Sequence, residues 1–537
     1  MKFQSFQYAD LPYSSLVADY INSFEHLADC YSGNPFSDGQ IRDYVDRYTY
    51  RGDRQRLVEL LKSFNEPFDL HESAKKNLDL LKEDDTLVVV TGQQPMVYGG
   101  PLLVVNKTMG AILSARRISR LTGKTVVPVF WIGDEDHDFQ EMSVLNLPGN
   151  PKPDALTVEL PGTGYTRVAD LRLDGSFAGF SARVKEKLPQ TDFSGELWAL
   201  LDNSFKDGND WGNAFGKLMA GLFSKHGLIL AGSNDSGIKQ FVQPVIVKAI
   251  QDSDNIRDSL EKQSEIFETH QDRQAGVEAS LLFYVDEHNV RHRIHRTNGI
   301  WEIESEKSWT TEALIDLARK NPERLSPNVF LRPLMQDFLL PNIAYVAGPG
   351  ELAYFGQMKS LYAIFERPEP FIIPRLSSTL VEPTIARALD QVPLKWMEFP
   401  GRIEDLEKEY LKQSNAPDVD ELFNKWNKRF AGLKDELKSE ISEIDPTLSG
   451  AVDSSSAVFF KEMGKLKGKV TKAVKSDQDI QIKRIHRIQQ HLFPDREWQE
   501  RKIAFIYFMN KYGMDLWDTM LEMLDNDKLD SHKLIFL

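Results

Sequence analysis

Five ionisable residues follow one another from Asp134 to Asp138, directly after the apolar run Val126 to Ile132. Charged groups at the end of a buried strand must either reach solvent or bind another group. His137 lies among carboxylates, and an aspartate beside a histidine can fix its tautomer and raise its basicity, which suits a general base. The same carboxylates could hold Mg²⁺ beside a phosphate. The segment therefore predicts a general base or a magnesium site, with a solvated surface loop as the alternative.

A second segment with the composition of a ligand-binding loop extends from Thr91 to Pro101. It contains three glycines, which let a ligand approach the backbone closely, and the amides of Gln93 and Gln94, which both donate and accept hydrogen bonds. A predicted helix follows it, and the N–H groups at a helix N-terminus favour anionic ligands. It has neither the Gly-Lys-Ser/Thr ending of a P-loop nor the glycine spacing of the dinucleotide-binding fingerprint. We expect a cradle for a phosphate or a sugar, and an ordinary capped turn is the alternative.

Two arginines, Arg332 and Arg375, are candidates for holding a substrate carboxylate or phosphate. A guanidinium can bind either group through two parallel hydrogen bonds. Between them, Gly348 to Glu351 indicates another strand-to-helix turn, where the helix dipole stabilises a carboxylate with or without a ligand. Either arginine could instead be structural. A further cluster, Arg291 to Arg296, lies in an alternating strand pattern, which favours a surface position for most of its members.

The candidate residues follow short apolar runs of the kind that form strands buried on both faces. Helical patterns separate the runs, so the strands are joined by βαβ crossovers and are expected to be parallel. In such a sheet, ligands bind outside the carboxyl ends of the strands, which is where the candidates fall. The runs are Thr86 to Val90, Val126 to Ile132, Gly227 to Ala231, Ile343 to Ala347 and Phe371 to Ile373. The predicted fold class is α/β, a Rossmann-like parallel-sheet core with inserted connecting segments, followed by an α-helical antiparallel coiled coil.

Four parts of the chain are predicted. They are a helical segment that packs on the core, 1–80; the discontinuous core, 81–395, with insertions at about 150–225 and 255–330; the coiled-coil hairpin, 396–490; and an aromatic-rich segment that packs back on the core, 491–537. The hairpin is predicted because apolar residues step by three and four on two charged arms that a break at Asp445 to Gly450 separates.

The composition excludes several classes of protein. The 537 residues are 41% hydrophobic, which is ample for several cores at about 100 to 200 residues per domain. A net charge of −15 argues against nucleic acid held by bulk charge. The apolar runs are too short for a transmembrane helix and the N-terminus has no signal-peptide pattern, so we expect a cytoplasmic protein without membrane contact. Cys30 is the only cysteine, which excludes an intramolecular disulfide and multi-cysteine metal sites.

Taken together, the motifs resemble those of the BshC family, the cysteine ligases of bacillithiol biosynthesis. The matching stretches are TGQQPMVYGGP, VPVFWIGDEDHDF, RPLMQDFLLPNIAYVAGPGELAYFGQMK, PRLSSTLVE and, after a helical hairpin, LFPDREWQERKIAFIYFMNKYG. They are long, specific and in the same order over nearly the whole chain. The resemblance implies a Rossmann-like core and a coiled coil that mediates homodimerisation. It also implies the last step of bacillithiol synthesis, which joins cysteine through an amide bond to malyl-glucosamine.

Carried onto this chain, the resemblance implies a pocket formed by a defined set of residues. They are Gln93, Gln94, Tyr98, Gly100, Asp136, His137, Asp138, Arg332, Gln336, Asp337, Gly350, Glu351 and Arg375. His137, with Asp136 or Asp138, would accept a proton, and Arg332 or Arg375 would hold the carboxylate. Forming an amide requires an activated carboxylate, so ATP or another nucleotide is expected, with Mg²⁺ possible and no metal site formed by the protein alone. The chain carries no signature of a known ATP-binding class.

Two other functions are compatible with the sequence. The protein could be a non-catalytic scaffold of the thiol pathway that binds a metabolite without converting it. A scaffold needs no base at His137, so substitution of that residue separates the two functions. The protein could also bind RNA through the lysine-rich arm Lys461 to Lys475, but a solvated flank of a coiled coil explains that arm more simply.

Overall fold

The chain forms two compact units. The computed structural model describes residues 1–149, 152–160, 164, 166–304, 307–414 and 417–537. The core unit consists of Met1–Pro148, Pro153–Leu380 and Gln499–Ile535, and the hairpin unit consists mainly of Val381–Trp498. The chain therefore returns to the core unit after the hairpin.

A five-stranded parallel sheet forms the centre of the core unit. In sheet order its strands are Phe371–Pro374, Asn342–Ala347, Leu87–Gln93, Val126–Ile132 and Ile229–Gly232. Counted along the chain as first to fifth, they lie in the order 5-4-1-2-3, which is that of a Rossmann fold. All five predicted strands are present, so the predicted α/β class is confirmed.

The first crossover helix, Leu102–Thr122, packs on the first and second strands. It ends at Gly123, whose φ of 72° is a left-handed conformation that glycine adopts without strain. Because most of its residues are buried, the one lysine inside its apolar pattern, Lys107, lies in the interior. That lysine becomes part of the site described below.

The other helices and strands surround this sheet. The remaining α-helices of the core unit are Ser15–Asn22, Asp38–Arg47, Arg54–Asn65, Glu72–Leu80, Phe139–Met142, Phe177–Lys187, Ser194–Ser204, Trp211–Phe223, Ser236–Gln251, Ser253–Glu268, Thr311–Lys320, Leu331–Leu339, Pro349–Ile364, Gln499–Lys502, Phe505–Tyr512 and Leu516–Leu524. Small antiparallel sheets pair Val144–Leu147 with Asp154–Thr157, Leu282–Val285 with Arg291–Arg293 and Leu325–Pro327, and Ile300–Glu302 with His295–Thr297 and Ser308–Trp309. None of the helices in the described residues is both long and apolar enough to cross a membrane.

The N-terminal segment differs from the prediction of an all-helical start. It begins with the strand Lys2–Phe6, which lies in a three-stranded sheet with His532–Phe536 and Ser378–Val381. The strand was missed because its partner lies at the opposite end of the chain, so no local pattern reveals the pairing.

The hairpin unit is helical in its described part. Its long arms, Val419–Ile444 and Ser449–Asp477, are antiparallel, since Asp420 pairs with Lys467 while Lys438 pairs with Asp453, both at 2.6 Å. Shorter helices span Pro383–Leu389, Ile403–Gln413 and Asp479–Leu492. The predicted antiparallel coiled coil is confirmed.

Candidate active site

A cavity of about 770 Å³ opens at the carboxyl ends of the central strands. Its wall includes Gln93 at the end of the first strand and Gln94 after it, Asp136 after the second strand, and residues 348–351 after the fourth. The first and fourth strands are neighbours at the point where the strand order reverses, which is where Rossmann-like proteins bind ligands. The volume lies within the range of about 300 to 1,000 Å³ that small-molecule sites occupy.

Seven of the thirteen predicted site residues line this cavity, namely Gln93, Gln94, Asp136, Arg332, Gly350, Glu351 and Arg375. The six that lie outside its lining are Tyr98, Gly100, His137, Asp138, Gln336 and Asp337.

A buried ion pair between Lys107 and Glu351 connects the first crossover helix with the helix that follows the fourth strand. The Lys107 Nζ lies 2.5 Å from Glu351 Oε2 and donates to the carbonyl oxygen of Gly92 at 2.7 Å. Glu351 also accepts hydrogen bonds from the Gly348 N–H and the Tyr345 hydroxyl, each at 2.7 Å. Burial opposes ionisation of Glu351, but the Lys107 ammonium outweighs it, so the pKa of Glu351 is lowered. The pair fixes these two helices and the end of the first strand relative to one another.

Arg332 is a guanidinium of the wall that has no carboxylate within 4.0 Å among the described residues. It donates to the Tyr354 hydroxyl at 2.7 Å and to Gln336 Oε1 at 3.4 Å, and it lies over the Tyr345 ring at 5.7 Å. An arginine has five N–H donors and stays charged at all physiological pH values. Glu351 acts on this guanidinium from beyond 4.0 Å and favours its charged form. A carboxylate or phosphate of a ligand would add an anion in direct contact.

Arg375, the other predicted clamp, already has a counter-ion within the protein. Both of its Nη atoms lie 2.7 Å from the carboxylate oxygens of Glu500. The side chains of Arg375 and Glu500 are 3% and 0% exposed. Burial opposes ionisation of Glu500, but Arg375 outweighs it and lowers the pKa of Glu500 to about 2. Of the two predicted clamps, Arg332 is therefore the one suited to a ligand anion.

His137 lies beside the cavity, next to Asp136 and Arg291. The backbone N–H of His137 donates to Asp136 Oδ1 at 2.8 Å, and its Nδ1 lies 3.5 Å from Arg291 Nη1. The pKa of His137 is lowered by burial and then by the Arg291 charge, which together outweigh the neighbouring carboxylates. The carboxylates of Asp136 and Asp138 do raise the pKa of His137, as expected, but burial and Arg291 lower it by more. The imidazole is then neutral at pH 7 and can still accept a proton.

The rest of the acidic segment is structural. Asp138 accepts the backbone N–H of Glu141 at 3.2 Å and caps the short helix Phe139–Met142. It lies outside the cavity lining. Glu135 lines the cavity and is bound by Lys239 and Ser233. Burial opposes ionisation of Glu135, but Lys239 outweighs it, so the pKa of Glu135 is lowered. These contacts hold the segment after the second strand in place.

Tyr98 and Gly100, both predicted to form the pocket, lie outside the cavity lining. Tyr98 packs among aromatic rings, with the Phe205 centroid at 5.0 Å and the Phe180 centroid at 5.6 Å. Gly100 has φ of 78°, and a Cβ there would meet the Cβ of Met96 at 2.7 Å. Both residues shape the turn that leads into the crossover helix.

Gln336 and Asp337, also predicted to form the pocket, lie behind the wall rather than in it. Asp337 accepts hydrogen bonds from the Tyr362 hydroxyl at 2.8 Å and from Asn342 Nδ2 at 2.7 Å. Gln336 donates to Asp337 at 3.1 Å and accepts from Arg332. Both residues therefore support Arg332 from the interior.

Sequence reasoning missed several residues of the wall, among them Lys107, Arg291 and Arg501. Glu135 lies in the acidic segment that the sequence singled out, but it is not among the predicted pocket residues. The expected surface position is wrong for Arg291, whose side chain is 9% exposed and lies over the Phe283 ring at 3.8 Å. The lysine inside the apolar helix pattern was the one usable signal, because a charge in a buried position requires a partner.

Comparison with known proteins places the chain in a family. Residues 1–376 match the family model "Bacillithiol biosynthesis BshC, N-terminal Rossmann-like domain", and residues 378–537 match "Bacillithiol biosynthesis BshC, C-terminal coiled-coil domain". A relative named "Putative cysteine ligase BshC" from Chlorobaculum tepidum is 30% identical, covering 98% of this chain and 97% of its own. A relative of the same name from Salinibacter ruber is 31% identical, and the match covers 96% of this chain and 95% of the relative. The matches span nearly the full length, and the chain belongs to the BshC family of bacillithiol biosynthesis.

Proposed function

We propose that the protein is a ligase that joins cysteine through an amide bond to malyl-glucosamine, in the last step of bacillithiol synthesis. The names of its relatives support the class of cysteine ligase. The observation that carries the proposal to this chain is the position of Arg332, a guanidinium in the cavity wall that has no carboxylate partner among the described residues. Such a group matches the carboxylate of the malyl moiety.

The amine of cysteine must lose a proton before it attacks a carbonyl carbon. We assign this proton to His137, because its lowered pKa leaves the imidazole neutral near pH 7. Asp136 lies in the wall and accepts the His137 backbone N–H, so it holds the base at the edge of the cavity. Arg291 contacts both residues and fixes their positions.

A nucleotide is part of the proposal, because a carboxylate must be activated before it forms an amide. The residues fit a phosphate group, since the wall contains the N-terminus of helix Pro349–Ile364 and the amides of Gln93 and Gln94. When bound, a nucleoside triphosphate would supply that activation. No group of three or more His, Cys, Asp or Glu that could hold a metal is found in the described ranges. Magnesium bound to a nucleotide needs only one or two protein carboxylates, and Asp136 in the cavity wall could provide one.

We also propose that the protein forms a homodimer through the hairpin. Leu433, Leu437 and Ile444 are 58%, 50% and 83% exposed on one long arm, and apolar side chains at coiled-coil spacing associate. Leu433→Glu with Leu437→Glu should give a monomer in light scattering, and a dimer that survives both substitutions would contradict the proposal. A cytoplasmic location suits the product, because thiols are kept reduced there.

The test of function is the thiol content of a bacillithiol-producing host that lacks its own family member. Complementation with the wild type should restore bacillithiol, and the empty vector should accumulate malyl-glucosamine, both measured by mass spectrometry. His137→Ala should fail to restore the thiol. The matched control is Asp138→Asn, which keeps the helix cap and should restore it.

Two outcomes would count against the proposal. If the wild type leaves the thiol pool unchanged, the substrate assignment is wrong. If His137→Ala restores bacillithiol as fully as the wild type, His137 is not the base, and the non-catalytic scaffold becomes the better account.

A further inference from the structure

The short helix Gln499–Lys502 reaches the cavity from the part of the chain that follows the hairpin. Arg501 lines the cavity, and its neighbour Glu500 is fully buried against Arg375. The helix belongs to the core unit, although the matching family model assigns residues 378–537 to a coiled-coil domain. Two adjacent residues of this segment therefore act on the same cavity in different ways.

Hydrogen bonds from several elements fix the position of the Glu500 carboxylate. Because the carboxylate is fixed, it holds Arg375 in one orientation. It accepts hydrogen bonds from Ser377 Oγ at 2.8 Å and from Asn106 Nδ2 at 2.7 Å. The backbone N–H of Arg375 donates to the carbonyl oxygen of Ala347 at 2.8 Å, at the end of the fourth strand. Because a buried arginine needs a counter-ion, loss of the Glu500 charge would release Arg375 from the wall.

Arg501 differs from Arg375 in its exposure. Arg501 is exposed to solvent at the cavity. Burial and Asp138 raise the pKa of Glu141, another residue of the wall, and the charge of Arg501 opposes that rise. The proposed reaction brings at least two anionic groups into one cavity, a malyl carboxylate and the phosphates of a nucleotide. Arg332 can compensate one of them, and an exposed guanidinium suits the other.

We infer that Arg501 binds an anionic group of the ligand, a carboxylate or a phosphate, and that Glu500 is a positioning residue that holds Arg375 in the cavity wall. The inference rests on the proposed function and deepens it, because it adds a second anion-binding arginine to the site. It also makes the segment after the hairpin part of the active site.

Isothermal titration of the full-length protein tests Arg501. Malyl-glucosamine and ADP are titrated separately into the wild type, Arg501→Ala and the matched control Lys502→Ala, whose residue lies on the same helix outside the cavity lining. Arg501→Ala should weaken one of the two ligands by roughly 10-fold or more, since a charge-assisted hydrogen bond is lost. The ligand that is weakened identifies the group as carboxylate or phosphate. Lys502→Ala should bind like the wild type.

Glu500→Gln tests the positioning role in a ligation assay. Loss of orientation should raise the KM for the affected substrate by roughly 10-fold with a smaller change in kcat, whereas loss of folded protein lowers kcat alone. Equal binding of both ligands by Arg501→Ala and the wild type would overturn the inference and leave the proposed function standing. If the wild type binds neither ligand, both fail. Should Glu500→Gln not fold, Arg501→Ala on the exposed surface still decides whether Arg501 binds an anionic group of the ligand.

Discussion

Replacing Lys107 by methionine should destabilise the protein strongly, because it leaves Glu351 as a buried carboxylate without a cation. The two side chains are 5% and 19% exposed. Breaking a buried pair by removing one partner costs about 3 to 5 kcal/mol in the free energy of unfolding. Glu351 keeps its hydrogen bonds from Gly348 and Tyr345, so we expect about 3 kcal/mol. The double variant with Glu351→Gln removes both charges and should lose only about 1 kcal/mol.

The stability that Lys107→Met loses should be larger at pH 7 than at pH 5. In the wild type the pKa of Glu351 is lowered, so the pair contributes stability above the unfolded pKa and loses it as the pH falls through the folded pKa. Without Lys107, burial raises the pKa of Glu351, and protonation then stabilises the folded state. The deficit of Lys107→Met should therefore shrink between pH 7 and pH 5.

Urea unfolding followed by tryptophan fluorescence at both pH values measures the deficit. The matched control is Lys124→Met, which removes an exposed pair with Asp85 at 2.6 Å and should cost less than about 1 kcal/mol. A deficit for Lys107→Met below about 1 kcal/mol, or one equal at pH 7 and pH 5, would refute the reasoning.

Three further predictions concern single residues. Arg332→Lys should weaken malyl-glucosamine binding by roughly 10- to 100-fold in calorimetry with little change in melting temperature, because lysine cannot form two parallel hydrogen bonds; unchanged affinity would contradict the clamp. Tyr98→Ala should lower the free energy of unfolding by about 3 kcal/mol yet leave ligand affinity within about 2-fold, since its ring packs away from the cavity; lost affinity in folded protein would contradict this. Burial and Glu135 raise the pKa of Asp134 to about 7. Between pH 5 and pH 8 the free energy of unfolding of the wild type should therefore fall by about 2 to 3 kcal/mol relative to that of Asp134→Asn, as measured by urea titration. Parallel pH profiles of the two proteins would contradict this.

The central sheet was predictable because each strand is a short, continuous apolar run between helical patterns. Once the strands are parallel, their carboxyl ends share one edge, which brought Gln93, Asp136 and Glu351 to the same cavity as expected. Residues directly after a strand were therefore predicted best.

Residues further along each motif were predicted less well. Gln94 lines the cavity, while Tyr98, only four residues later, packs in an aromatic cluster. The sequence pattern does not separate them, because the direction of the chain after the strand end depends on the turn and on its packing.

Pairings between distant segments could not be predicted from local patterns. Glu500 lies 125 residues after Arg375, and without that partner the arginine was taken for a clamp that its counter-ion already satisfies. The alternating pattern favours a surface position for most of the cluster Arg291 to Arg296, and it does not show that Phe283 and the acidic loop cover Arg291.

Purified protein offers the most direct test of the central claim. The protein is incubated with malyl-glucosamine, cysteine, ATP and Mg²⁺, and the amide product is measured by mass spectrometry for the wild type and Arg332→Lys. We predict bacillithiol from the wild type and at least about 10-fold less from the variant at limiting malyl-glucosamine. The contradicting result is a protein that binds malyl-glucosamine but forms no product with ATP or with any other nucleoside triphosphate. That result would contradict the ligase activity and support a protein that only binds the metabolite.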